Sequence, residues 1–208
     1  ARRFLADRSG LSGVEFAILL PVIVMMFAAT LDLGEALMVN RRVNQIATST
    51  SDIITQESGW SNQQLKTLLD GSTSILEPFT SDTVTVLVSV LDVDSKGQAT
   101  VNWSYGYNTE ALAAGAQSPV DIPSTIKLSG VQLVVTVVNF EMTTSFTSLL
   151  SKVTGLDSYH MSSNAFARPR VGDTVVYKSA AYWHQKAVSG SADAYAFFSQ
   201  RPSWVCCQ

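Results

Sequence analysis

The chain has 208 residues, enough to bury a core without disulfide staples and too few for more than one medium domain with attachments. With 46% hydrophobic and only 15% charged residues it is more apolar than a small soluble domain requires, and the excess lies near the N-terminus. A formal net charge of -3, with no cluster of Lys and Arg beyond Arg2, Arg3 and Arg8, excludes a general nucleic-acid binder, because neutralising phosphates takes clustered cations.

From Phe16 to Leu31 the sequence FAILLPVIVMMFAATL has no charge and, as a helix, would span about 24 Å at 1.5 Å per residue. Leu11 to Val14 and Leu33 extend it towards a hydrocarbon core of about 30 Å, which predicts a transmembrane helix over 11–35. Two other readings compete. A buried core helix that is apolar on every face needs more surrounding protein than the chain has left. A cleaved secretory signal needs a break after Ala28, Ala29 and Thr30, where LDLGEALMVNRRVNQIA instead continues a helical pattern. Three Arg and one Asp on the N-terminal flank, against Asp32 and Glu35 first on the other side, place the N-terminus in the cytoplasm and the body outside. Arg41 and Arg42 weigh against that bias from about two turns beyond the run.

Two residues of this segment stand out. Pro21 removes one backbone hydrogen bond and predicts a kink or a loosened turn. Glu15 stands at the membrane threshold, where a carboxylate either has a partner or sits among headgroups near the positive end of the helix.

Beyond the membrane run, Val39, Val43, Ile46, Thr50 and Ile53 recur at steps of four and three, a helical stripe for packing on a globular body. One helix from about Leu11 to about Thr55 is the economical reading. Gly59 breaks the pattern. Ser61 with Gln64 forms a capping box for a short helix through about Leu69, closed by Asp70-Gly71. Thr83 to Leu91 and Thr100 to Tyr107 alternate as half-buried strands, and Asp94-Ser95-Lys96-Gly97 between them predicts an antiparallel hairpin. Residues 108–124 lack a period and read as an excursion over the sheet edge. Gln132 to Phe140 is apolar on both faces and is the expected central strand. A short helix over Phe146–Val153 and strands over Met161–Ala167 and Thr174–Lys178 follow, the strands flanking Arg168-Pro169-Arg170. Tyr182, Trp183, Tyr195, Phe197, Phe198 and Trp204 in the least legible segment, 179–208, are expected to pack onto the body. The fold class expected is α+β.

Catalytic residues do not converge. His160 and His184 lack metal-ligand spacing, and there is no nucleophile elbow, phosphate-binding Gly loop or His-Glu-x-x-His, so neither enzyme activity, metal nor cofactor is expected. Asp92 and Asp94 lack the further carboxylates and Gly of a calcium loop and fit a turn role. Arg168 and Arg170 fit either an acidic partner or a solvated strand end. Cys206 and Cys207, adjacent at the C-terminus, cannot close a long loop; they fit a vicinal disulfide, an intermolecular bridge or a tail without structural role.

The N-terminal segment as a whole carries a resemblance. Arg3-Phe4-Leu5, Asp7-Arg8-Ser9-Gly10, Val14-Glu15-Phe16-Ala17, the apolar run to Pro21, and Leu31-Asp32-Leu33-Gly34-Glu35-Ala36 resemble the N-terminus of TadE-like and TadG-like proteins, pseudopilin-type components of the tight-adherence (Tad) pilus system. Val135 to Leu150, Gly155 and Ala167-Arg168-Pro169-Arg170 resemble their C-terminal half less specifically.

The resemblance implies a pilin-like long N-terminal helix on an antiparallel sheet: a leader at 1–10, a transmembrane helix at 11–35 and an extracytoplasmic domain at 36–208. It implies cleavage by a prepilin peptidase after Gly10, leaving Leu11 first where many type IV pilins have Phe, and Glu15 fifth. Glu15 on one subunit would then neutralise the new amine of Leu11 on its neighbour, so that both charges are tolerated only on association. The implied partners are other pilin and pseudopilin subunits, the prepilin peptidase, the inner-membrane assembly platform and the membrane. The implied function is structural, helping to initiate, cap or anchor a pilus and so supporting surface adhesion. The other reading is a membrane-anchored extracytoplasmic binding or adhesin module that does not polymerise.

Overall fold

The computed structural model describes residues 9–79, 83–143, 155, 158–179, 182, 185, 186, 188 and 189. The expected helix at 146–153, Trp183, His184 and the aromatic and cysteine residues after 189 lie outside them. Two compact units divide the chain, 1–42 with 141–161 and 43–140 with 162–208.

Helix α1, Ser9–Thr55, runs 47 residues without interruption. In the larger unit its residues from Val43 onwards bury one face: Val43, Ile46, Ala47, Thr50, Ser51, Ile54 and Thr55. The expected stripe is right as far as Thr50 and then shifts by one residue, since Ile54 is fully buried and Ile53 is 37% exposed. The structural reason lies at the helix end. The Trp60 indole donates to the Ile54 carbonyl (3.0 Å) and the Arg170 amide to that of Thr55 (2.9 Å). These bonds satisfy carbonyls that a helix end leaves without partners and fix which side of the last turn faces the core. The Arg170 guanidinium also meets Asp52 at 2.7 Å, and Arg168 donates to the Ile126 carbonyl, so both arginines have intramolecular roles.

Strand β1, Gly59–Trp60, precedes α2, Asn62–Thr73. The capping box is formed, with the Gln64 amide donating to the Ser61 hydroxyl and the Ser61 amide to the Gln64 side chain. Ser61→Ala should cost about 1 kcal/mol, read as a lower denaturation midpoint with the fold unchanged. The helix does not close at Asp70-Gly71. It continues through Gly71 and passes into a 3-10 turn at Ser74–Leu76, because Leu69, Ser72, Thr73 and Leu76 are buried and that burial outweighs the glycine penalty of about 1 kcal/mol.

The main sheet has four strands in the order β3-β2-β4-β5: β2, Thr85–Val93; β3, Ala99–Tyr107; β4, Gln132–Met142; β5, Tyr159–Ala167. The expected hairpin joins β2 to β3. Asp94 Oδ1 accepts from the amides of Lys96 and Gln98 and Gly97 has φ 76°, so Asp94 has the turn role its position implied. Strand β2 pairs antiparallel with β3 and β4, which makes β4 an internal strand as its two-sided apolar pattern required. Val86, Val88 and Val90 lie opposite Val138, Thr136 and Val134 on one face. On that face α1 is held by the Ser51 hydroxyl, which donates to Thr136 Oγ1 at 2.8 Å.

One departure from simple alternation redirects side chains. Val90 pairs with Trp103 but Leu91 with Val101, so Asn102 is an extra residue and a β-bulge. Val101 and Trp103 therefore face opposite sides of the sheet, where strict alternation had put them on one. Val101 joins Leu91, Val93, Ile122, Leu133 and Val135 in a cluster on the second face. Trp103 instead donates its indole N–H to the Val175 carbonyl at 2.8 Å and stacks on Tyr177, ring centres 5.5 Å apart. Burial, with Tyr177, Asp70 and Tyr107 nearby, pushes the Tyr105 phenol above its usual range.

The excursion after β3 does more than skirt an edge. Thr100 bridges Gln117 on the outer side of β3, and Leu112, Ala116, Val120, Ile122 and Ile126 cover the second face. The expected strand at 174–178 reduces to β6, Val176–Tyr177, which pairs in parallel with β1 as a separate two-stranded sheet. Its approach leaves no room at Gly59, where a Cβ would come within 2.9 Å of the Val176 carbonyl.

Candidate functional site

The site residues marked out by the sequence all fall on α1. Gly10 and Leu11 are in its first turns, Glu15 one turn later and Pro21 further along the same uninterrupted helix. The helix forms because, from Leu11 to Thr55, Pro21 is the single residue that cannot donate a helical bond; the loss leaves the Ala17 carbonyl without its usual donor but does not end the helix.

Most side chains from Gly13 to Leu31 are exposed. Phe16, Ile18, Met26 and Phe27 are each more than half exposed, and only 6% of the most apolar 18-residue stretch is buried. That is not the burial of a core helix, which covers its apolar surface with protein. Thr30, the one hydroxyl in the run, donates to the Met26 carbonyl at 2.8 Å and so presents no free polar hydrogen to lipid. The helix is long and apolar enough to cross a membrane.

Glu15 is exposed at the start of this segment and forms no hydrogen bond or ion pair with any described residue. Leu11 precedes it by four residues, about 6 Å of helical rise.

A feature of α1 not identified from sequence is the burial of Ala28, Asp32 and Ala36, at four-residue steps before Val39. Asp32 is 2% exposed. Its spacing from Ala28 and Ala36, four residues each way, was the available signal; the sequence reading used Asp32 only for the charge bias that sets membrane orientation.

The remaining candidates are structural. Glu141 accepts from Ser158 (2.6 Å) and lies 3.7 Å from His160, whose side chain is largely exposed. Asp92 accepts from Gln132 and Asn102 across the sheet end, and Gln132 in turn accepts from the Val175 amide at 2.6 Å.

Residues 10–51 match the family model described as TadE-like protein. No curated protein and no solved structure matches the chain. The matched residues take in Gly10, Leu11, Glu15 and Pro21 and end four residues short of the α1 C-terminus.

Proposed function

We propose that this chain, TadE-like over residues 10–51, is a membrane-anchored structural subunit of a Tad pilus system, a pseudopilin that helps to initiate, cap or anchor the filament. In this reading the N-terminus is cytoplasmic, α1 crosses the inner membrane as far as about residue 35, and the sheet domain is extracytoplasmic. Its partners are other pilin and pseudopilin subunits and the assembly platform, and its part in adhesion is that of the filament it serves. It is not an enzyme.

The observation that carries the reading is a single helix with two environments. Its first half leaves an apolar surface exposed together with Glu15, which has no partner among the described residues, and its second half contributes to the core of a folded domain. Lateral association of such helices would bring the Glu15 of one subunit to the amine of Leu11 on another, provided the bond after Gly10 is cut.

The mass of the N-terminal peptide from protein purified out of native membranes tests the processing step. The expected chain begins at Leu11 and remains membrane-bound; one that retains Arg8 to Gly10 contradicts cleavage.

A further inference from the structure

We propose that the cavity beside the β2–β3 turn binds a neutral polyhydroxylated ligand, a mono- or disaccharide. The cavity measures about 570 Å3, within the range of small-molecule sites. It lies wholly within residues 97–127, so it stands apart from the assembly reading and makes no use of α1.

Its walls are prebuilt. The Val101 amide donates to the Ala116 carbonyl (2.8 Å) and the Gly115 amide to that of Val101 (2.7 Å), which locks one wall against the outer edge of β3. Ala99, Val120 and Ile122 supply an apolar lining, and all three pack on the core cluster of the sheet's second face. Such a lining does not need to be ordered by the ligand, which lowers the cost of binding.

The rim has a different character. The side chains of Gln98, Thr100, Gln117, Asp121 and Lys127 surround the opening, and none makes a hydrogen bond or ion pair with a described residue. Close by, Asp92, Asp94, Asn102 and Ser118 are all engaged within the protein. Two amides and a hydroxyl each donate and accept, Asp121 accepts and Lys127 donates. Vicinal hydroxyls, which also donate and accept, complement such a mixed rim, and the C–H face of a sugar ring suits the apolar lining.

Other ligand classes fit less well. The single cation, Lys127, is offset by Asp121, which disfavours an anion. An extended peptide would add to the edge of β3, where residues 115–117 already sit. An acyl chain would need a lining without five polar groups.

The test uses the full chain in lipid nanodiscs free of glycolipid, because sugar-headed detergents would compete. Maltose, lactose and chitobiose are titrated while the side-chain amide signals of Gln98 and Gln117 are followed by NMR, with sialyllactose and an acidic peptide as comparators. At least one neutral sugar should shift both amides saturably, and Asp121→Ala should weaken it about tenfold, as loss of a charge-assisted hydrogen bond does. Lys66→Ala, on α2, should leave it unchanged. No shift with any neutral sugar, a response confined to sialyllactose or the peptide, or full binding by Asp121→Ala would each overturn the assignment. None of these outcomes bears on the N-terminal mass, so the two readings fail separately.

Discussion

Glu15→Lys should reduce by at least about tenfold the recovery of proteins that co-purify with this chain from native membranes, about 1.4 kcal/mol or more of association free energy, while leaving its sheet domain folded. The two effects separate because Glu15 makes no bond within the described residues and the side chains around it are exposed, Val14 and Phe16 at 59% each. In the proposed assembly the same position would face the amine that cleavage would create at Leu11. A carboxylate offsets that charge, whereas a lysine sets two cations together where water is scarce. Glu15→Gln, which removes charge but keeps size and a hydrogen-bonding amide, should fall between the two. Wild-type recovery with Glu15→Lys, at an unchanged denaturation midpoint, would remove Glu15 from the assembly mechanism.

Leu91→Ala should have the largest effect on the domain itself, a loss of about 2–5 kcal/mol. Leu91 is fully buried and lies opposite Val101 on one neighbouring strand and Leu133 on the other. The same cluster carries Ile122, by which the excursion is attached to the sheet, so truncation both opens a cavity and loosens that cover. Against a typical total stability of about 5–15 kcal/mol, this is a large fraction. Urea titration of the full chain in micelles should show a lower midpoint with a similar slope. Leu128→Ala, at an exposed position in the same excursion, should change stability by less than about 0.5 kcal/mol. Equal midpoints for the two variants would contradict the placement of the core.

The parts of the fold that were legible follow from local rules acting over long stretches. The single helix was readable because its apolar run and its amphipathic stripe share one period, with no break between Pro21 and Thr55. The hairpin was readable because Asp94 to Gly97 has one favourable turn geometry. Sequence reasoning lost precision where tertiary contacts choose between local options. Ile53 and Ile54 are equivalent to a periodicity argument, and the Trp60 bond to the Ile54 carbonyl separates them. Gly71 looks like a stop signal until Ser72, Thr73 and Leu76 are seen to be buried. The bulge at Asn102 leaves no signature in an alternating strand, and pairing of β1 with β6 joins segments over a hundred residues apart. The placing of Gly10, Leu11, Glu15 and Pro21 on one helix was legible because they fall in one uninterrupted run. The cavity was not, because a turn and an excursion without period meet there only in the folded chain.

Carbodiimide cross-linking in native membranes, followed by peptide mass analysis, addresses the central claim most directly. The reagent joins a carboxylate to an amine only when they are in contact. The account predicts an amide between Glu15 and the mature N-terminal amine of a neighbouring subunit, found in species heavier than the monomer and absent from Glu15→Gln. An amide found only within monomers, between Leu11 and Glu15 of one chain, or a Glu15 peptide left unmodified beside an N-terminus that retains Gly10, would contradict it.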